Sequence, residues 1–108
     1  MIIRQGLKAI GWGLLGALTA APQAFAADAY NGEQLARRWC EPCHVVAPDQ
    51  REVTGEAPPF ASIAHRPDFD PVKIAVFLLD PHPKMPDMSL TRIEAGDLAA
   101  YIASLAKK

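Results

Sequence analysis

Apolar residues recur at helical spacing in three stretches of the chain, and no stretch alternates apolar with polar residues in the way a half-buried strand would. Within residues 28–44, Leu35, Ala36, Trp39, Cys40 and Cys43 stand three and four apart, while Glu33, Arg37, Arg38 and Glu41 take the other positions. This predicts a first helix that carries both cysteines on its core face, with Asn31 available as its cap and Pro42 near its end. Residues 47–59 hold Pro48, Gly55, Pro58, Pro59 and several charges and read as an exposed loop, followed by a short helical piece over 60–65. Asp70-Pro71 supplies a cap and a first-turn proline for a helix through Leu79 that Pro81 stops. Pro81, Pro83 and Pro86 make 80–87 a stiff extended loop. Thr91 and Glu94 then form a capping box, and Leu98, Tyr101, Ile102 and Leu105 line one face of a last helix. The expected fold is all-α, with three to four short helices.

The first residues stand apart from this pattern. Arg4 and Lys8 precede an uncharged run over 9–21, and Ala24-Phe25-Ala26 matches a small-x-small cleavage site. A cleavable secretory signal peptide over 1–26 and one domain over 27–108 are expected, with export to the periplasm. A retained anchor is the weaker alternative, because the run falls short of the ~20 residues of a bilayer span and Pro22 interrupts it. No membrane span is expected in the mature chain.

The whole sequence has 108 residues, 11 basic and 12 acidic side chains and two cysteines. Removing Arg4 and Lys8 with the leader leaves a mildly acidic domain without a basic cluster, so nucleic acid is not an expected partner. A domain this small usually needs a cross-link, a metal or another added group to complete its interior. Two cysteines three positions apart would close too small a loop to serve.

Cys40-Glu41-Pro42-Cys43-His44 is the C-x-x-C-H pattern of covalent haem attachment. On one turn, residues i, i+3 and i+4 face the same way. Two thiols can then add to the vinyl groups on one porphyrin edge while the histidine offers its imidazole to the iron. The expected cofactor is one haem c, attached through Cys40 and Cys43, with His44 as proximal iron ligand. A thioredoxin-like dithiol lacks its βαβ context here, a zinc site would have to recruit His65 and His82 at unsuitable spacing, and a pair of merely structural cysteines leaves His44 unexplained. For the second axial position the favoured residue is Met85, whose backbone is constrained within Pro83-Lys84-Met85-Pro86. Met88 and His82 are the alternatives, and His65 ranks below them. A methionine ligand implies a higher potential than a second imidazole would.

With these features in this order, the chain resembles the small class I c-type cytochromes over essentially all of residues 27–108. The resemblance implies a cytochrome c-like fold wrapped around one haem, in which the first helix crosses the last at Gly32 against Leu98, Tyr101 and Ile102. It also implies that the Pro58 carbonyl accepts the proton of the axial imidazole, and that Met85-Pro86 is the distal ligand motif. Two departures stand out: Ala36 occupies a position where the family often has an aromatic residue, a space for which Trp39 and Tyr30 are candidates, and Pro59 doubles the proline. The implied function is a monomeric, single-haem carrier of electrons between a periplasmic donor and acceptor, not an enzyme. Lys84, beside the proposed ligand, is a candidate for the partner contact. The alternatives are a haem-bearing subunit of a periplasmic dehydrogenase or oxidase, and a ligand-binding or sensory haem with an open sixth site.

Overall fold

The computed structural model describes residues 26–50, 57–80 and 84–107. Among them are four helices, α1 (Ala29–Trp39), α2 (Phe60–Ala64), α3 (Pro71–Leu79) and α4 (Arg92–Ser104), and α4 runs into a 3₁₀ turn over Leu105–Lys107. No strand occurs among the described residues, as the sequence pattern predicts.

The starts of α3 and α4 follow the sequence closely. The Asp70 carboxylate accepts the Val72 N–H at 2.9 Å, with Pro71 in the first turn. At α4 the Thr91 hydroxyl accepts from the Glu94 N–H at 3.0 Å and the Glu94 carboxylate accepts from the Thr91 N–H at 2.9 Å, a complete capping box.

Helix α1 differs from expectation at both ends. Its cap is Asp28, whose carboxylate accepts the Asn31 N–H at 3.1 Å, and Asn31 lies inside the helix. At the other end α1 stops at Trp39, before either cysteine. The N–H groups of Cys40 and Glu41 both reach the Ala36 carbonyl, at 2.8 and 3.0 Å. Pro42 has no N–H to continue the ladder, and its ring disfavours helical backbone at Glu41, so the chain leaves the helix in a turn.

The elements pack around the crossing of α1 and α4, the most extensive helix contact among the described residues. A Cβ at Gly32 would overlap the Asp97 carbonyl and come within 2.8 Å of the Tyr101 Cβ, so only glycine allows the two backbones to meet. Leu35, Ala36, Cys40, Val46, Ala47, Phe60, Ala64, Leu98, Tyr101, Ile102 and Leu105 form the core on this contact. Ala36 is fully buried, whereas Tyr30 and Trp39 are exposed. Neither Tyr30 nor Trp39 belongs to the core that Ala36 joins.

Asp97 is the buried charged residue of α4. One of its carboxylate oxygens accepts the Asp28 N–H at 2.7 Å, and the other accepts Asn31 Nδ2 at 2.8 Å. Thus Asn31, read from sequence as a cap, instead ties α1 to α4. Helix α3 is different in kind. Ile74 and Leu78 lean on the core, yet none of its residues is fully buried, and Val72 and Val76 are 70% and 62% exposed.

Segment 84–90 contains neither helix nor strand. It turns where the Asp87 carboxylate accepts the Ser89 N–H at 2.9 Å, with Ser89 at a positive φ of 52°. Pro81, His82 and Pro83 lie outside the described residues, as do residues 1–25, the bulk of the segment expected to be a signal peptide.

Candidate functional site

The end of α1 delivers Cys40 to the core, where it is 5% exposed, while Cys43 is exposed. The turn between them is closed by the Cys43 N–H at 3.1 Å and the His44 N–H at 2.9 Å, both donated to the Cys40 carbonyl. The two sulfurs are not joined in a disulfide. The cysteines therefore occupy a turn beyond the helix and not a helical face, but the hydrogen bond from His44 back to Cys40 keeps the i to i+4 relation on which the attachment argument depends. Burial, with a smaller contribution from neighbouring Cys43, pushes the Cys40 thiol up to about 11.

The imidazole of His44 is oriented from two sides. Its Nδ1 lies 2.6 Å from the Pro58 carbonyl oxygen, and its ring meets that of Phe60 at a centroid distance of 5.0 Å, tilted by 51°. A carbonyl can only accept, so the proton is on Nδ1 and Nε2 is left as the nitrogen with a lone pair. The bond is made by Pro58 and not Pro59, which occupies the cap position of α2. Helix α2 is itself joined to the histidine loop, because its first N–H, from Phe60, donates to the Val45 carbonyl at 2.9 Å.

The residues that the sequence singles out thus fall into two groups. Cys40, Cys43, His44 and Pro58 come together around the turn after α1, whereas Met85 and Met88 are half-buried in segment 84–90. His65 is exposed, with its Nδ1 2.7 Å from the Ala61 carbonyl of its own helix. Among the described residues no group of three or more His, Cys, Asp or Glu side chains could hold a metal ion, and His82 lies outside them.

Gln50 and the Tyr101 hydroxyl were not legible as site residues. The Gln50 side chain reaches back over the motif to three backbone groups, and the Tyr101 hydroxyl donates to the Val46 carbonyl at 2.6 Å. A single glutamine in a polar loop carries no pattern, and Tyr101 reads from sequence only as a core residue.

No family model matches the chain, and no solved structure matches it. Among characterised proteins it is similar to cytochrome c-552 of Bradyrhizobium diazoefficiens, at 55% identity over 92 residues that cover 85% of this chain and 88% of that protein. The chain belongs to the class I c-type cytochromes. Its all-α architecture fits the fold of that family, its cofactor is covalently bound haem c, and it is an electron carrier and not an enzyme. The donor set fits that group: two thiols flank a turn, and the adjacent imidazole leaves Nε2 available as a donor because Nδ1 is committed to Pro58.

Proposed function

We propose that the chain is an exported monohaem electron carrier with His/Met ligation. Residues 1–26 direct export and are removed, and residues 27–108 act in the periplasm as a monomer between a redox donor and a redox acceptor. No helix among the described residues is long and apolar enough to cross a membrane. Cys40 and Cys43 form the thioethers, His44 is the proximal ligand through Nε2, and Met85 is the distal ligand, with Met88 and His82 as its rivals. When bound, the haem iron supplies one-electron exchange between its ferrous and ferric states.

The observation that carries this reading is the 2.6 Å hydrogen bond from His44 Nδ1 to the Pro58 carbonyl. A histidine next to a C-x-x-C pair with its outer nitrogen so engaged is oriented as a metal ligand, and the bond also raises its basicity toward iron. Pro86, directly after Met85, restricts the methionine's backbone, so the distal ligand needs little rearrangement between oxidation states. Contacts with redox partners are typically small, under ~1,200 Å², and exposed Lys84 is suited to their rim.

The test is co-expression with a haem-attachment system. The mature chain should gain the mass of one haem and show the sulfur-to-ferric charge-transfer band, which Met85→Ala should abolish and Met88→Ala should spare. An unchanged mass removes the haem reading, while a band that survives Met85→Ala removes the ligand assignment.

A second reading, a haem-bearing subunit of a larger dehydrogenase or oxidase, is favoured by one observation: the exposed apolar side chains Val72, Val76, Phe77 and Leu79 of α3. If this surface still binds an apolar fluorescent dye after haem attachment, and the chain co-purifies with a larger enzyme, the subunit reading holds in place of the free carrier.

A further inference from the structure

Directly behind the C-x-x-C-H turn, Gln50 spends both ends of its amide on backbone. Its Oε1 accepts the Val46 N–H at 2.7 Å, and its Nε2 donates to the His44 carbonyl at 3.0 Å and the Glu41 carbonyl at 3.2 Å. The assignment of the amide is fixed by these partners, since an N–H can only donate and the two carbonyls can only accept. Gln50 begins from a secured position. Its own N–H donates to the Ala47 carbonyl at 3.1 Å, and Arg37 of α1 holds neighbouring Asp49 at 3.1 Å. The Val46 carbonyl in turn accepts the Tyr101 hydroxyl. One side chain therefore clamps the turn at Glu41 and at His44 and the strand of loop leaving it at Val46.

We propose that Gln50 is a positioning residue for the axial histidine. The Pro58 carbonyl fixes the rotation of the His44 ring, and Gln50 fixes the backbone from which that ring projects. Neither restraint replaces the other, because a ring held at one nitrogen can still tilt if its Cα shifts. This inference rests on the reading of His44 as an iron ligand.

The experiment uses the haem-loaded mature protein and two near-isosteric variants. Gln50→Met keeps the length and charge of the residue but makes no hydrogen bond. Gln50→Glu keeps an acceptor for the Val46 N–H but loses both donors to the carbonyls. The readouts are the paramagnetically shifted ring-proton resonances of His44 in the ferric state, the midpoint potential, and amide exchange at Val46. Asn31→Ala, at the distant α1–α4 contact, controls for loss of stability alone. The expected result is displaced His44 resonances in both Gln50 variants and a changed potential in Gln50→Met. Val46 exchange should be at least about tenfold faster in Gln50→Met and near wild type in Gln50→Glu, while Asn31→Ala keeps the His44 resonances in place. If both Gln50 variants lose stability yet keep wild-type His44 resonances and potential, Gln50 is only a loop fastener and the proposal is wrong. If neither variant attaches haem while Asn31→Ala does, the turn depends on the clamp, as proposed. A wild-type chain that gains no haem mass overturns the ligand reading, and the role of Gln50 at that ligand with it.

Discussion

Where α1 crosses α4, Gly32 lets two backbones touch and Asp97 takes hydrogen bonds from Asp28 and Asn31. Along α3 only Ile74 and Leu78 reach the core, and the valines at 72 and 76 stand exposed. Composition alone would predict the reverse, because α3 has Lys73 as its single charge whereas α1 and α4 carry Glu33, Arg37, Arg38, Arg92, Glu94 and Asp97. The difference lies in what completes each one. The α1–α4 contact is closed by groups of the chain itself, whereas a short helix that is apolar almost all round gains stability only against further apolar surface. In a c-type cytochrome, the large apolar group at hand is the haem.

The comparison breaks most visibly when the cofactor is withheld. In a Cys40→Ala, Cys43→Ala chain that cannot attach haem, amide exchange should lose protection over α3 and segment 84–90 far more than over α1 and α4. Uniform loss, or no loss, would mean that the two regions are held together by the same contacts after all. The reverse cut is made at the crossing. Gly32→Val drives a branched side chain into the Asp97 carbonyl and Tyr101. It should cost about 3 kcal/mol or more in urea unfolding of the haem-loaded protein, a large part of the usual stability of a small domain. Gly96→Ala is the informative counterpart, since a Cβ there has nothing within 4 Å. It should stabilise α4 by about 0.5–1 kcal/mol through helix propensity.

Asp97→Ala tests the polar part of the same contact. It leaves the Asp28 N–H and the Asn31 amide without their acceptor, and a loss of about 2–3 kcal/mol is expected, with fraying concentrated at the start of α1. Retention of full stability would show that the packing at Gly32 alone carries the crossing.

What could be read from sequence follows the same division. The capping box at Thr91, the Asp70-Pro71 start and the apolar stripe of α4 are local signals, and each has its counterpart in the structure. Gly32 and the Pro58 carbonyl depend on distant parts of the chain and became legible only through family resemblance. The cap of α1 was misread because Asp28 and Asn31 are both good capping residues, and what separates them is the pull of Asp97 across the crossing, a long-range contact absent from local pattern. The overlong first helix has a nearer cause: the apolar spacing continued through Cys43, but the missing N–H of Pro42 outweighed it. Gln50 left no trace at all, because its partners are backbone groups, which no residue pattern records.

An effect smaller than the loss at Asp97 uses Cys40 to sharpen the contrast between the chain with and without its cofactor. Burial raises the Cys40 thiol to about 11, above its ordinary value of 9.0. Between those two pH values the folded haem-free chain keeps a proton that the unfolded chain has released, so its stability should fall as pH rises through this window. The loss should be on the order of 1–2 kcal/mol. A Cys40 sulfur committed to a thioether has no proton to lose, and the haem-loaded protein should lack this component. Burial also raises the Tyr101 phenol, and its titration tilts alkaline stability in the same direction in both forms. The discriminating quantity is therefore the difference between haem-free wild type and haem-free Cys40→Ala, measured by urea unfolding from pH 8 to 11. Parallel curves would mean that Cys40 is not held in the core of the unloaded chain, and that the α1 end of the site, like α3, waits for its cofactor before it packs.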